Sequence, residues 1–194
     1  MIISCIGDSL TEGDYGVSGK RGIANVHKEN YPYFLAELTG AELHNFGKCG
    51  FTASNYKEYY DKGNVNVTGS DIIIVMLGTN GGLDPSEDTQ GNRDYDYLIK
   101  KICADAKEAK IVLCTPPHAT ENPNFSNCGY AKQAKKAADF VRNYAEKTNL
   151  KLIDIAKCPC FTAENEFVMQ PNDGLHFGKY GYQKLAEYIA DNLK

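Results

Sequence analysis

The sequence has no tryptophan, no excess of positive charge and no long apolar run. Nowhere do about 18 apolar residues follow one another, so no membrane-spanning helix is expected. The formal net charge is -4, whereas a nucleic-acid surface would be basic, so no nucleic-acid partner is expected. No Lys/Arg-flanked apolar segment precedes the first apolar stretch, which predicts no signal peptide and a cytoplasmic chain. The seven cysteines are odd in number and cannot all pair; reduced thiols are expected. Cys158-Pro159-Cys160 is a C-x-C, not the C-x-x-C of redox helices, and no second Cys/His pair is spaced to complete a metal site. No metal and no cofactor are therefore expected. The glycines at 13, 16, 19 and 22 match no phosphate loop, and there is no Gly-x-Ser-x-Gly elbow of the ordinary α/β-hydrolase kind.

What is present describes an ordinary globule. The chain has 194 residues, 42% hydrophobic and 24% charged, and one domain spanning 1–194 is the natural reading. A chain of this size buries roughly 70% of its unfolded surface and needs no staples. Cys5, Cys103 and Cys114 lie in apolar patterns and read as small core residues.

Ile2 to Ile6 reads as a first strand. A polar, Gly-dotted loop is expected from Leu10 to about Lys28. Asn30 followed by Pro32 marks a helix start, with Phe34, Leu35 and Leu38 as its buried face and Gly40 as its end. A strand over 41–46 and a short helix through Tyr56 follow. Asp71 to Leu77 reads as a strand whose apolar residues, Ile72 to Leu77, are continuous, as in a central parallel strand covered on both faces. Tyr95, Leu98, Ile99 and Ile102 recur at helical spacing. Ile111 to Cys114 is the next strand, Tyr130 to Ala145 a long amphipathic helix, Leu152 to Ile155 the last strand, and Tyr182 to Leu193 the closing helix. Repeated strand–helix alternation predicts an α/β fold with a parallel sheet and helices on both faces.

Four segments then fall at strand ends or before the last helix: Asp8-Ser9, Gly47 to Gly50, Gly78-Thr79-Asn80, and Asp173-Gly174-Leu175-His176. Open α/β sheets bind ligands at the carboxyl ends of their strands. Together the side chains complete one reaction type. A serine hydroxyl needs a base within hydrogen-bond reach, and neutral His176 can be that base. Asp173, three residues earlier across a glycine, can reach the imidazole Nδ1. An oxyanion needs donors; a backbone N–H of a Gly-rich turn, the Asn80 amide and the backbone N–H of Ser9 are suitable.

These four blocks resemble, in the family's order, those of the SGNH (GDSL-type) esterases and lipases. The resemblance covers nearly the whole chain. It implies a three-layer α/β/α sandwich of flavodoxin type with five strands in order 2-1-3-4-5. It implies Ser9 as nucleophile, Gly50 and Asn80 as oxyanion donors with the Ser9 N–H, Asp173 as acid and His176 as base. Gly50 rather than Gly47 is the match, being the glycine two before Thr52. Gly81 departs from the pattern, since many members carry Asp there, which touches local loop support and not the chemistry.

Simpler readings stand beside these. Ser9 with Glu12 resembles a helix capping box. Asp173 and His176 could bind a metal, though no third ligand is spaced to join them. His118 is a substrate-loop residue or a solvent-exposed histidine. Tyr15, Tyr31 and Tyr33 line a cleft or pack. The expected function is a serine esterase acting on short acyl groups, acetyl foremost, of a carbohydrate or other small alcohol. The alternatives are a lysophospholipase or thioesterase, an acyl transferase, and a flavodoxin-like binding module, whose phosphate Asp8 and Glu12 would repel.

Overall fold

The computed structural model describes residues 1–17 and 24–193. Five parallel strands form one sheet in the order β2-β1-β3-β4-β5: β1 Ile2–Gly7, β2 Glu42–Gly47, β3 Ile72–Met76, β4 Lys110–Cys114 and β5 Lys151–Ile153. The helices between and after them are α1 Ser9–Glu12, α2 Tyr31–Thr39, α3 Ala53–Asp61, α4 Gln90–Asp105, α5 Ala131–Thr148, α6 Glu166–Met169 and α7 Lys179–Leu193. Among the described residues no helix is long and apolar enough to cross a membrane.

The three layers follow from the pleat. Alternate side chains of a strand point to opposite faces. Ile74 and Met76 of β3 join one core with Tyr31 and Leu35 of α2 and Tyr182, Leu185 and Ile189 of α7. Ile73 and Val75 join the other with Tyr56 of α3, Leu98 and Ile102 of α4, and Val141 of α5. Both faces of β3 are thus covered, which is why its sequence is continuously apolar. Each fully buried Ile, Val or Leu in these cores contributes about 1.5–3 kcal/mol relative to exposure. Cys5 and Cys114 are buried in the first core, and Cys103 packs against the second.

Some local expectations shift. The stretch read as loop from Leu10 opens as helix α1; the part of it at 18–23 lies outside the described residues. The buried face of α2 is Tyr31, Pro32 and Leu35, while Leu38 is 53% exposed. The seam against α7 runs through Tyr31 and Leu35, one helical turn apart, and Phe34 sits at its margin. The last strand stops at Ile153, and Ile155–Lys157 winds into a 3-10 turn instead. Two hydrogen bonds of one side chain explain the stop: Thr115 Oγ1 donates to Asp154 Oδ1 and accepts from the Ala156 N–H, pulling the chain away from the ladder.

Candidate active site

β1 delivers Asp8 and Ser9 to the carboxyl edge of the sheet, between β2 and β3. The cap of α1 is Asp8, whose Oδ1 accepts the Leu10 N–H at 3.0 Å. The capping-box reading of Ser9 is therefore corrected. Glu12 also turns elsewhere: its Oε2 accepts the Cys49 N–H at 2.6 Å, and its Oε1 lies 3.6 Å from Lys48 Nζ. With capping assigned to Asp8, the Ser9 hydroxyl is released from backbone duty. It is 4% exposed and meets His176 Nε2 at 2.9 Å.

The far end of the chain folds into a tight turn around one carboxylate. Asp173 Oδ1 accepts the N–H groups of Leu175 (2.9 Å) and His176 (2.8 Å). Gly174 makes this possible with φ +76°, a left-handed conformation, where a Cβ would also strike Thr120. Asp173 Oδ2 lies 2.6 Å from His176 Nδ1 and accepts the Asn127 amide at 2.8 Å. Ser9, His176 and Asp173, separated by 167 and 3 positions in sequence, thus stand in one hydrogen-bonded line.

The electrostatics fix the proton positions. Burial pushes the Asp173 pKa up, but the His176 hydrogen bond and charge and the two backbone N–H groups outweigh it and hold the carboxyl below its ordinary value. For His176 burial works downward, and the hydrogen bond and charge of Asp173, with Asp14 and Asp8 behind them, carry the imidazole above its ordinary value. An ionised Asp173 can only accept, so Nδ1 carries the proton and Nε2 is left to accept the Ser9 O–H. The line can accept a proton from the serine as its oxygen attacks an electrophile.

Gly50 and Asn80 lie beyond the ends of β2 and β3, the two strands flanking β1. They are linked, because Asn80 Nδ2 donates to the Phe51 carbonyl at 3.0 Å. That uses one of the two amide protons of Asn80; the second remains for another acceptor. Gly50 has φ +77° and an exposed backbone with nothing within 4 Å of a notional Cβ. The loop support in question at Gly81 comes from α5: Gln133 Nε2 donates to the Thr79 carbonyl at 2.9 Å, and its Oε1 occupies the space beside Gly81.

Three neighbours of the line escaped sequence reasoning. Asn127 grips the Asp173 carboxylate from the loop before α5. The backbone of Gly16 rests against the same carboxylate. Asp14 places Oδ2 3.8 Å from His176 Nε2. Of the tyrosines, Tyr31 is a packing residue, fully buried with its hydroxyl 3.3 Å from Thr11 Oγ1, and Tyr33 is 43% exposed. Tyr15 stacks between His27 and Tyr182. His118 is not a free solvent-exposed histidine. It lines a cavity of about 240 Å³ with Lys135 and Arg142, and its Nε2 is buried 3.8 Å from Glu166.

Known proteins share this fold. An acetylxylan esterase from Xylanibacter ruminicola is 25% identical over 99% of this chain, which spans 43% of that longer protein. An aryl esterase from M. smegmatis superposes with a TM-score of 0.78 at 18% identity, covering 99% of this chain and 97% of that one. A carbohydrate acetylesterase from Sinorhizobium meliloti superposes with a TM-score of 0.76 at 19% identity, again over 99% and 97%. At such identities the superpositions speak for the fold. Kinship rests on the sequence match over residues 5–184, nearly the whole chain, and by that match the protein belongs to the GDSL-like Lipase/Acylhydrolase family.

Proposed function

We propose that the protein is a serine esterase that hydrolyses short acyl esters, acetyl foremost, of a carbohydrate or other small alcohol. The observation that carries this is the unbroken line from Ser9 Oγ through His176 to Asp173, at 2.9 and 2.6 Å. In this reading Ser9 attacks the ester carbonyl and His176 Nε2 takes its proton. The Asp173 carboxylate stabilises the imidazolium through Nδ1–H. The N–H groups of Ser9 and Gly50 and the Asn80 amide receive the oxyanion. One such donor is commonly worth about 2.7–4 kcal/mol of barrier. The carbon–oxygen bond to the alcohol breaks as Nε2–H protonates the leaving oxygen. Water, losing its proton to Nε2, then releases the acid from Ser9.

The acetyl and carbohydrate preference is supported by the relative named an acetylxylan esterase and by the neighbour named a carbohydrate acetylesterase. Seven unpaired thiols suit action in the cytoplasm.

The test is hydrolysis of p-nitrophenyl esters from acetyl to decanoyl, and of acetylated xylo-oligosaccharides, by wild type and Ser9→Ala. Activity should be greatest on acetyl and fall roughly 10⁴-fold or more in Ser9→Ala. Equal rates for the two proteins would overturn the esterase reading, and an optimum beyond octanoyl would overturn the acetyl preference.

A further inference from the structure

We propose that Asp14 is a second carboxylate partner of His176, poised on the Nε2 side of the ring to hold the imidazolium while its proton passes to the leaving alcohol. The assignment rests on His176 being the general base of the proposed esterase. It gives a task to the segment after Gly13, which sequence reading leaves without one.

Described residues anchor Asp14 through its N–H, its carbonyl and its Oδ1. Its N–H donates to the Ser9 carbonyl at 3.0 Å, and its own carbonyl accepts the Tyr182 hydroxyl at 2.7 Å. Its Oδ1 accepts the N–H groups of Gly16 and Asn25, at 2.9 and 3.0 Å. An isolated bridge to Val26 closes the segment. With Oδ1 committed, the residue is 7% exposed and its Oδ2 stands 3.8 Å from His176 Nε2. Ser9 Oγ is 2.9 Å from the same nitrogen.

This placement favours one protonation state over the other. In the resting enzyme Nε2 carries no proton and is occupied by the Ser9 O–H, so Asp14 Oδ2 has nothing to accept from it. Once the serine proton has moved, Nε2–H is a donor with a positive charge behind it. The serine oxygen, now bonded to the acyl carbon, is a weak acceptor. The oxygen of the departing alcohol is then the acceptor for Nε2–H, while Asp14 Oδ2, 3.8 Å away, stabilises the imidazolium by its charge. An interaction made only after charge develops lowers the barrier without tightening the ground state. Among the described residues the charged groups facing the ring are Asp173 at Nδ1, Asp14 beyond Nε2, and buried Asp8 from the β1–α1 turn. Tyr182, from α7, meets the backbone of Asp14 and not the ring.

A carboxylate here has a cost that can be measured. An opposite charge within about 4–6 Å raises the basicity of a histidine by a unit or more. More of the enzyme is then protonated, and idle, on the acid side. A loop staple without electrostatic contact to His176 would change stability and leave that balance where it is.

The experiment uses Asp14→Asn and Asp14→Ser, both of which keep an oxygen to receive the Gly16 and Asn25 N–H groups. His176 is titrated by NMR in wild type and each variant, its resonance identified among the four histidines by its loss in His176→Gln. The expected result is a titration about one pH unit lower in both variants. The acid limb of kcat/KM against pH should move by the same amount, with the plateau reduced about tenfold. An unmoved His176 titration, or an unmoved limb, in either folded variant overturns the proposal. Ser9→Ala run beside them separates the two readings: an active Ser9→Ala overturns the esterase, whereas the NMR shift reports on the Asp14–His176 pair alone.

Discussion

The backbone of Gly16 rests against the Asp173 carboxylate, so closely that a Cβ there would strike Oδ2 and approach Cγ to 2.6 Å. Gly16 also has φ +68°, in the left-handed region. The segment after α1 and the turn before α7 therefore meet at Asp173, the carboxylate end of the hydrogen-bonded Ser9–His176–Asp173 line. Asn172 Nδ2, which donates to the Tyr15 carbonyl at 2.8 Å, ties the same two segments together.

Gly16→Ala should thus do two separable things. The left-handed backbone costs about 1–2 kcal/mol for an L residue, or a few degrees of Tm. The added methyl pushes Asp173 off its line to His176 and should reduce kcat at least tenfold, with KM little changed. Gly40→Ala is the control, because Gly40 has φ +66° with nothing within 4 Å of a notional Cβ. It should lose the same few degrees and keep full kcat. Thermal melts and steady-state kinetics on both variants check this; equal kcat in the two would refute the contact's role.

Asn127 is the next point of leverage on Asp173. Its amide donates to Oδ2 at 2.8 Å, beside the His176 Nδ1 bond. A hydrogen bond to a charged group is commonly worth about 1.5–3 kcal/mol. Asn127→Ala should lower kcat/KM roughly tenfold and destabilise the fold at neutral pH. The sign with pH follows from the depressed pKa of Asp173. Stability from a depressed carboxylate is present above its unfolded value near 3.9 and is lost as pH falls through the folded one. The gap between wild type and Asn127→Ala should therefore shrink in denaturant titrations on going from pH 7 to pH 3. A gap that stays constant would place Asn127 outside the carboxylate's support.

The sheet and both ends of the Ser9–His176–Asp173 line were legible because they are local patterns. Continuous apolar strands such as Ile72–Met76, and the Asp173-Gly174-Leu175-His176 turn, carry their geometry within a few residues. What stayed hidden depends on contacts across the fold. Asn127 and Asp173 are 46 positions apart, and nothing around Asn127 separates it from any other loop asparagine. Asp14 and Gly16 sit in a stretch whose glycines fit no motif, and it is the return of residues 173–176 beside it that sets Asp14 near His176 and Gly16 against Asp173. The capping box at Ser9 and Glu12 misled for the opposite reason. The local pattern was present, but Asp8 took the cap and Glu12 was drawn across to the Cys49 N–H.

Asp8 offers the sharpest test of how the turn carrying Ser9 is held. It is fully buried, with Oδ1 on the Leu10 N–H. Its Oδ2 and the hydroxyl of neighbouring Thr79 have no hydrogen-bond partner among the described residues. Burial, only partly offset by the Leu10 N–H and the His176 charge, raises its pKa from 3.8 to about 6. A carboxyl raised on folding binds its proton more tightly in the native state. Its contribution to stability is therefore full below the unfolded value and is lost as pH rises through about 6. At about 1.4 kcal/mol per unit, the loss is on the order of 3 kcal/mol by pH 8. Asp8→Asn keeps the oxygen for Leu10, offers an N–H to Thr79 and does not titrate. Whatever its stability relative to wild type at pH 4, the variant should gain on wild type by about that amount at pH 8, with most of the change between pH 4 and 6.5. Urea unfolding of both proteins at pH 4, 6 and 8 measures the difference. A difference independent of pH would mean that Asp8 is ionised at no cost, and that the turn carrying Ser9 is better solvated than its burial implies.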